Sequence, residues 1–179
     1  MRKMIRSLFF WSVIICALVV AGTEAYTRAS NVAAQKKRQP QKMAVVCGSP
    51  KASCGSGMSF KPYDLQFRLP KNAVIYDTEP FYAIILKSVR APNDDCNVFV
   101  PEEERLRAQA LFPDHKVFAS RCYEPGEVYY APVGDNQHFM AVYAGKTRAE
   151  AGRVLDAVKA TGKYPGANLR RMHAGINGT

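Results

Sequence analysis

Between residues 138 and 172 the hydrophobic pattern changes period twice. Residues 138–144, HFMAVYA, form an apolar extended run of strand length. Beyond it Ala151, Val154, Leu155 and Val158 recur at i, i+3, i+4 and i+7, while Arg148, Glu150, Arg153, Asp156 and Lys159 point elsewhere. That stripe predicts an amphipathic helix from about Arg148 that packs by one face. Thr147 followed by Glu150 is a capping box, in which hydroxyl and carboxylate satisfy the backbone NH groups left unpaired at a helix start. Gly162 suits the left-handed position that ends a helix, and Pro165 blocks continuation. A strand from about Ala167 then runs beside the one before the helix. Gly152 in mid-helix costs about 1 kcal/mol relative to alanine, which predicts close packing on the sheet at that point.

Upstream, residues 81–89, FYAIILKSV, carry apolar side chains at both parities, so both faces of this strand are covered and it is central in its sheet. Pro101 with Glu102, Glu103 and Glu104 starts a helix in the sense the dipole prefers, ending before Pro113. Its apolar face reads as Leu106, Ala110 and Leu111, with Ala108 at the edge. A strand over 115–121, a turn over 124–127, an extended piece over 128–133 and a hairpin at Gly134, Asp135 and Asn136 follow. The order strand, helix, strand, strand, helix, strand predicts an α+β, ferredoxin-like (RNP-like) βαββαβ fold. In that fold a four-stranded antiparallel sheet carries both helices on one face and leaves the other free for a ligand. An extra N-terminal strand within residues 65–76 can extend or cover the sheet.

The first 25 residues change the picture by adding an address. Three positive charges precede an apolar run over 8–22, short of the roughly 20 residues needed to cross a bilayer, and Thr23, Glu24 and Ala25 offer a cleavage site. Residues 1–25 thus read as a signal peptide, or as an uncleaved anchor that would be the protein's membrane attachment, and either exports the rest. The net charge of +10 falls to about +8 on removal of this segment. An exported basic chain suits anionic wall polymer, acidic membrane surface or an acidic protein better than nucleic acid. Residues 26–61 read as a basic linker followed by a Cys, Gly and Ser-rich appendage, and residues 62–179 as the folded domain.

Four cysteines remain after cleavage, Cys47, Cys54, Cys96 and Cys122, an even number in an exported chain. Three pairings are open, and Cys47 with Cys54 plus Cys96 with Cys122 is the favoured one. No close Cys-x-x-Cys pair or histidine beside Cys47 or Cys54 supports zinc, and no metal or cofactor is expected. Catalysis would require Cys122 as a nucleophile with His115 or His138 as base, or a carboxylate pair such as Asp94 with Asp95 or Glu124 with Glu127. The expectation is that the protein is not an enzyme.

The layout over 138–172, most closely over 146–165, resembles the second repeat of the SPOR domains, exported bacterial modules that bind septal peptidoglycan. The resemblance implies a peptidoglycan glycan ligand lying along the open sheet face and its rim, in a periplasmic or secreted setting. Carried over, it points to Tyr82, Ile84, Phe139, Ala141 and Tyr143 on the sheet, with Asn168, Arg170 and Arg171 at the rim. Aromatic faces there would bury sugar CH surface. Tyr143, Phe139, Ala141 and Ile84 stand where the family carries a glycine, two arginines and a glutamine. An exported interaction or assembly protein with an envelope protein partner and no sugar binding is the alternative.

Overall fold

A computed structural model describes residues 42–52, 54, 60–122, 127–134 and 136–178. The expected signal segment, and the linker up to residue 41, lie outside the described residues. Eight strands and two α-helices follow one another: β1 (Val45–Val46), β2 (Phe67–Arg68), β3 (Ile75–Asp77), β4 (Phe81–Arg90), α1 (Glu102–Leu111), β5 (Val117–Ala119), β6 (Val128–Ala131), β7 (Gln137–Tyr143), α2 (Arg148–Ala160) and β8 (Asn168–Asn177).

The four-stranded sheet with a free face is corrected. The protein is mostly β, with β3, β4, β5, β6, β7 and β8 in one six-stranded antiparallel sheet and β1 paired with β2 in a second. The length of β8 is the reason. Its first half, residues 168–172, pairs with β4, and its second half pairs with β3 through residues 175–177 and with β6 through 173–176. Gly175 makes this second half possible, since a Cβ there would collide with the ring of Tyr129 and the carboxylate of Asp77. The Tyr129 hydroxyl crosses above it to donate to Asp77 Oδ1 at 2.7 Å. Nor does β8 lie beside β7, because α2 carries the chain across β4, which separates them.

Both faces of the sheet are covered. On one, Ile84, Leu86, Met140, Val142 and Ala144 meet Ala108 of α1 and Ala151, Val154 and Val158 of α2. On the other, Phe81, Ala83, Phe118, Phe139, Ala141 and Met172 meet Ala44, Val46, Leu65 and Phe67. The segment expected to be an appendage therefore supplies core. Cys47 NH donates to Gln66 O, Lys116 NH to Gly48 O, and Ala44 NH to Asp77 O, so it is hydrogen-bonded across the sheet as well as packed on it.

The capping box at Thr147 and Glu150 is formed, and Gly162 takes φ +66° after α2. Gly152 behaves differently from expectation: a Cβ there would meet nothing within 4 Å, so no close sheet contact explains it. In α1 the buried side is Arg105 and Ala108, whereas Leu106 is 53% exposed. Arg105 can be buried because Glu102 accepts from its Nη2 at 2.6 Å and Val117 O accepts from its Nη1 at 2.9 Å.

Candidate functional site

Two disulfides, Cys47–Cys54 and Cys96–Cys122, are formed, the favoured pairing. They are compatible with an exported protein. Among the described residues no helix is long and apolar enough to cross a membrane, and no His, Cys, Asp and Glu group could hold a metal ion. Cys122 has no thiol to act as a nucleophile while it is bonded to Cys96.

The eight residues expected along one ligand surface are divided by the sheet. Antiparallel pairing of Ile84 with Val142 and of Tyr82 with Arg171 puts Tyr82, Ile84 and Arg171 on the helix side. Phe139, Ala141, Tyr143, Asn168 and Arg170 belong to the opposite face. Two of these five are buried. Phe139 is 3% exposed, with its ring edge-on to Phe118 and Tyr130 at 5.8 and 5.7 Å, and Ala141 has no exposed area. Half-buried Tyr143 packs on Phe81 at 5.5 Å and is capped by the backbone of Gly48, where any Cβ would overlap its ring. Burial and the nearby Glu150 carboxylate push the Tyr143 phenol up. These three are core residues, so the expectation of an open aromatic stripe is corrected.

What stays open is the far end of the same face. Residues Ile85, Ser88, Pro132, Val133, Gly134, Gln137, Phe139, Asn168, Arg170 and Met172 line a groove of about 340 Å³. A β-bulge after Ile85 builds it. Ile85 faces Ala141 and Ser88 faces Phe139, so two residues three apart share a face that strict alternation would deny them. Ile85, Met172 and the edge of Phe139 make an apolar floor, and Ser88, Gln137, Asn168 and Arg170 supply hydrogen-bonding rim. Arg170 is exposed and has no ion-pair partner among the described residues, while Asn168 donates to Gly166 O at 3.3 Å. Three of the eight sequence-derived positions, Phe139, Asn168 and Arg170, thus meet at one place. Ile85, Ser88 and Gln137 were missed, since the bulge that turns Ser88 inward leaves no mark in a hydrophobicity pattern.

A second cavity, of about 380 Å³, adjoins the groove and shares Val133, Gly134 and Gln137 with it. Its other walls are Cys96, Ser120, Arg121, Cys122, Tyr129, Tyr130, Asn136 and His138. Arg121 is held flat there, its guanidinium carbon 3.8 Å from the centre of the Phe99 ring and 4.4 Å from that of Tyr63.

No family model matches the sequence, and no curated protein or solved structure similar to it is found.

Proposed function

We propose that this protein is an exported, non-catalytic module of the bacterial cell envelope, periplasmic or secreted, that binds peptidoglycan glycan strands and is related to the SPOR repeats. The observation that carries the reading is the groove at the end of the sheet, whose apolar floor and amide, hydroxyl and guanidinium rim are the chemistry a sugar ring needs. At about 340 Å³ it sits at the small end of ligand sites, which run from roughly 300 Å³. None of its described lining residues is a carboxylate, imidazole or thiol, which favours binding over cleavage. Export is supported by the two disulfides, and the basic charge of the chain suits an anionic wall.

Sedimentation with sacculi, intact and stripped of peptides by an amidase, tests this directly. The oxidised chain is expected to pellet with the stripped preparation, and Arg170→Ala to lower the bound fraction several-fold with an unchanged melting temperature. A chain that stays in the supernatant with both preparations has no such function. The second reading, an interaction or assembly protein without sugar binding, draws its support from Met43, Val45, Val74 and Ile75. These apolar side chains on and beside β1 and β3 are all about half exposed.

A further inference from the structure

Strand β8 is paired on both sides over only half its length. Towards its C-terminal end β3 lies on one side and β6 on the other, since Gly175 and Ile176 face partners in both. β4 continues the side of β3, with Thr78 NH donating to Ala174 O between the two. The other side is vacated where β6 ends at Ala131, opposite His173. The next residue, Pro132, has no NH to carry the ladder on, and Pro132, Val133 and Gly134 line the groove instead. Residues 168–172 therefore pair with β4 alone among the described residues. The backbone groups left over follow from β4. Tyr82 NH donates to Gly145 O and Tyr82 O accepts from Ala144 NH, so both groups of Tyr82 are committed to the β7 side. Its neighbour across β8, Arg171, is consequently in a non-hydrogen-bonded pair and turns its NH and CO outward. Alternation does the same for Leu169, which faces Ile84.

A free edge can template any strand, and here charge selects among them. Arg170 on the groove face and Arg171 on the helix side are both exposed, and neither has an ion-pair partner among the described residues. A second copy pairing through the same edge would bring the arginines of both copies together, and the chain's own basic segment with Lys36, Lys37 and Arg38 would meet the same repulsion. From this we infer that residues 168–172 of β8 take an extended acidic peptide as an added strand, with two consecutive acidic residues opposite Arg170 and Arg171. Consecutive residues of a strand point to opposite faces, so one carboxylate meets Arg170 on the groove face and the next meets Arg171 on the helix side. Leu169, half-buried against the helix-side core, offers apolar surface to the residue opposite it. Backbone pairing supplies the affinity, and the two arginines with Leu169 supply the selectivity. The inference rests on the geometry of the edge and not on the wall-binding reading.

A blocked heptapeptide carrying adjacent Asp and Glu among Val and Thr residues, titrated into the oxidised full chain, tests this by nuclear magnetic resonance and amide hydrogen exchange. At saturating peptide the Leu169 and Arg171 amides should exchange at least about tenfold more slowly, while that of Arg170, which faces Ala83 in β4, stays as it was. Replacing both acids of the peptide by Lys should weaken binding at least about tenfold. N-methylation of alternate peptide residues should abolish binding in one parity and be tolerated in the other, since only one parity faces β8. Arg170→Glu and Arg171→Glu, both at exposed positions, should each weaken the acidic peptide several-fold, improve binding of the Lys peptide and leave the melting temperature unchanged. The inference is overturned if the two amides exchange as before, if the Lys peptide binds as tightly, if both methylation patterns are tolerated alike, or if both variants bind like the parent. Exchange at Leu169 and Arg171 that slows with rising protein concentration and no peptide would assign the edge to a second copy and overturn it equally. Peptide binding by a chain that ignores sacculi would refute wall binding and leave the edge's assignment standing.

Discussion

Asp64 is an acid placed against its own charge. It is 6% exposed, and burial pushes its carboxyl up to about 6, opposed by the NH of Lys61, which donates to Oδ2 at 3.0 Å, and assisted by the nearby Glu127 carboxylate. A carboxyl whose folded value lies above its unfolded one favours the fold while protonated and loses that contribution as pH rises between the two values. Asp64→Asn keeps an acceptor for Lys61 NH and cannot ionise, so it should be more stable than the parent at pH 7, by on the order of 2 kcal/mol after allowance for screening. The difference should shrink towards zero by pH 4. Melting temperatures of the pair across that range measure it, and a gap that does not change with pH would show that Asp64 is not the group responsible. At this scale sequence reading located residues better than it located their faces. The residues of β4 and β7 alternate within each strand, but which of them share a side is set by the pairing register and by the bulge after Ile85. Tyr82 and Phe139 were grouped together for want of that information.

At the scale of elements, α2 is the best-read part of the chain because its signals are local. Thr147 Oγ1 accepts from Glu150 NH at 3.2 Å, and Glu150 Oε2 accepts from Thr147 NH at 3.0 Å. The Thr147 backbone NH is the first reason the Glu150 carboxyl lies below its ordinary range, with the Thr147 hydroxyl next. Thr147→Ala should cost about 1 kcal/mol of unfolding free energy in urea and let the Glu150 carboxyl titrate closer to its ordinary value. Should neither quantity move, the box contributes nothing to α2. The first helix was harder because its buried face is chosen by a polar residue. A stripe of apolar positions selects Leu106, whereas Glu102 and the carbonyl of Val117 draw Arg105 inward and turn Leu106 to solvent. β6, of four residues, was read as an extended piece and not as a member of the main sheet, whereas β3 overlaps the extra strand expected within residues 65–76 and does extend that sheet. The places of β3 and β6 are fixed by partners in β8, about 100 and 45 residues further on.

Across the whole described chain, the largest departure from the sequence reading is where the folded unit begins. Composition places the boundary at residue 62, since residues 43–61 are rich in Gly, Ser and Cys and read as irregular structure pinned by a disulfide. Yet the compact unit starts at Lys42. Ala44 and Val46 are 1% and 7% exposed, and Gly48 covers the ring of Tyr143. Such a segment needs no periodicity of its own, because it lies on a face that β4, β5 and β7 have already made apolar. A chain starting at residue 62 would uncover the ring of Tyr143 and lose the core side chains of Ala44 and Val46 with the backbone hydrogen bonds of Ala44, Cys47 and Gly48, while one starting at Lys42 would keep them. Burial of Val46 with Ala44 alone is worth about 3 kcal/mol, a large share of the roughly 5 to 15 kcal/mol that holds a domain together. The shorter chain should therefore unfold at a markedly lower urea midpoint than the chain from Lys42, or aggregate, and should bind a dye specific for exposed apolar surface. Equal midpoints would mean that residues 42–61 only decorate the sheet.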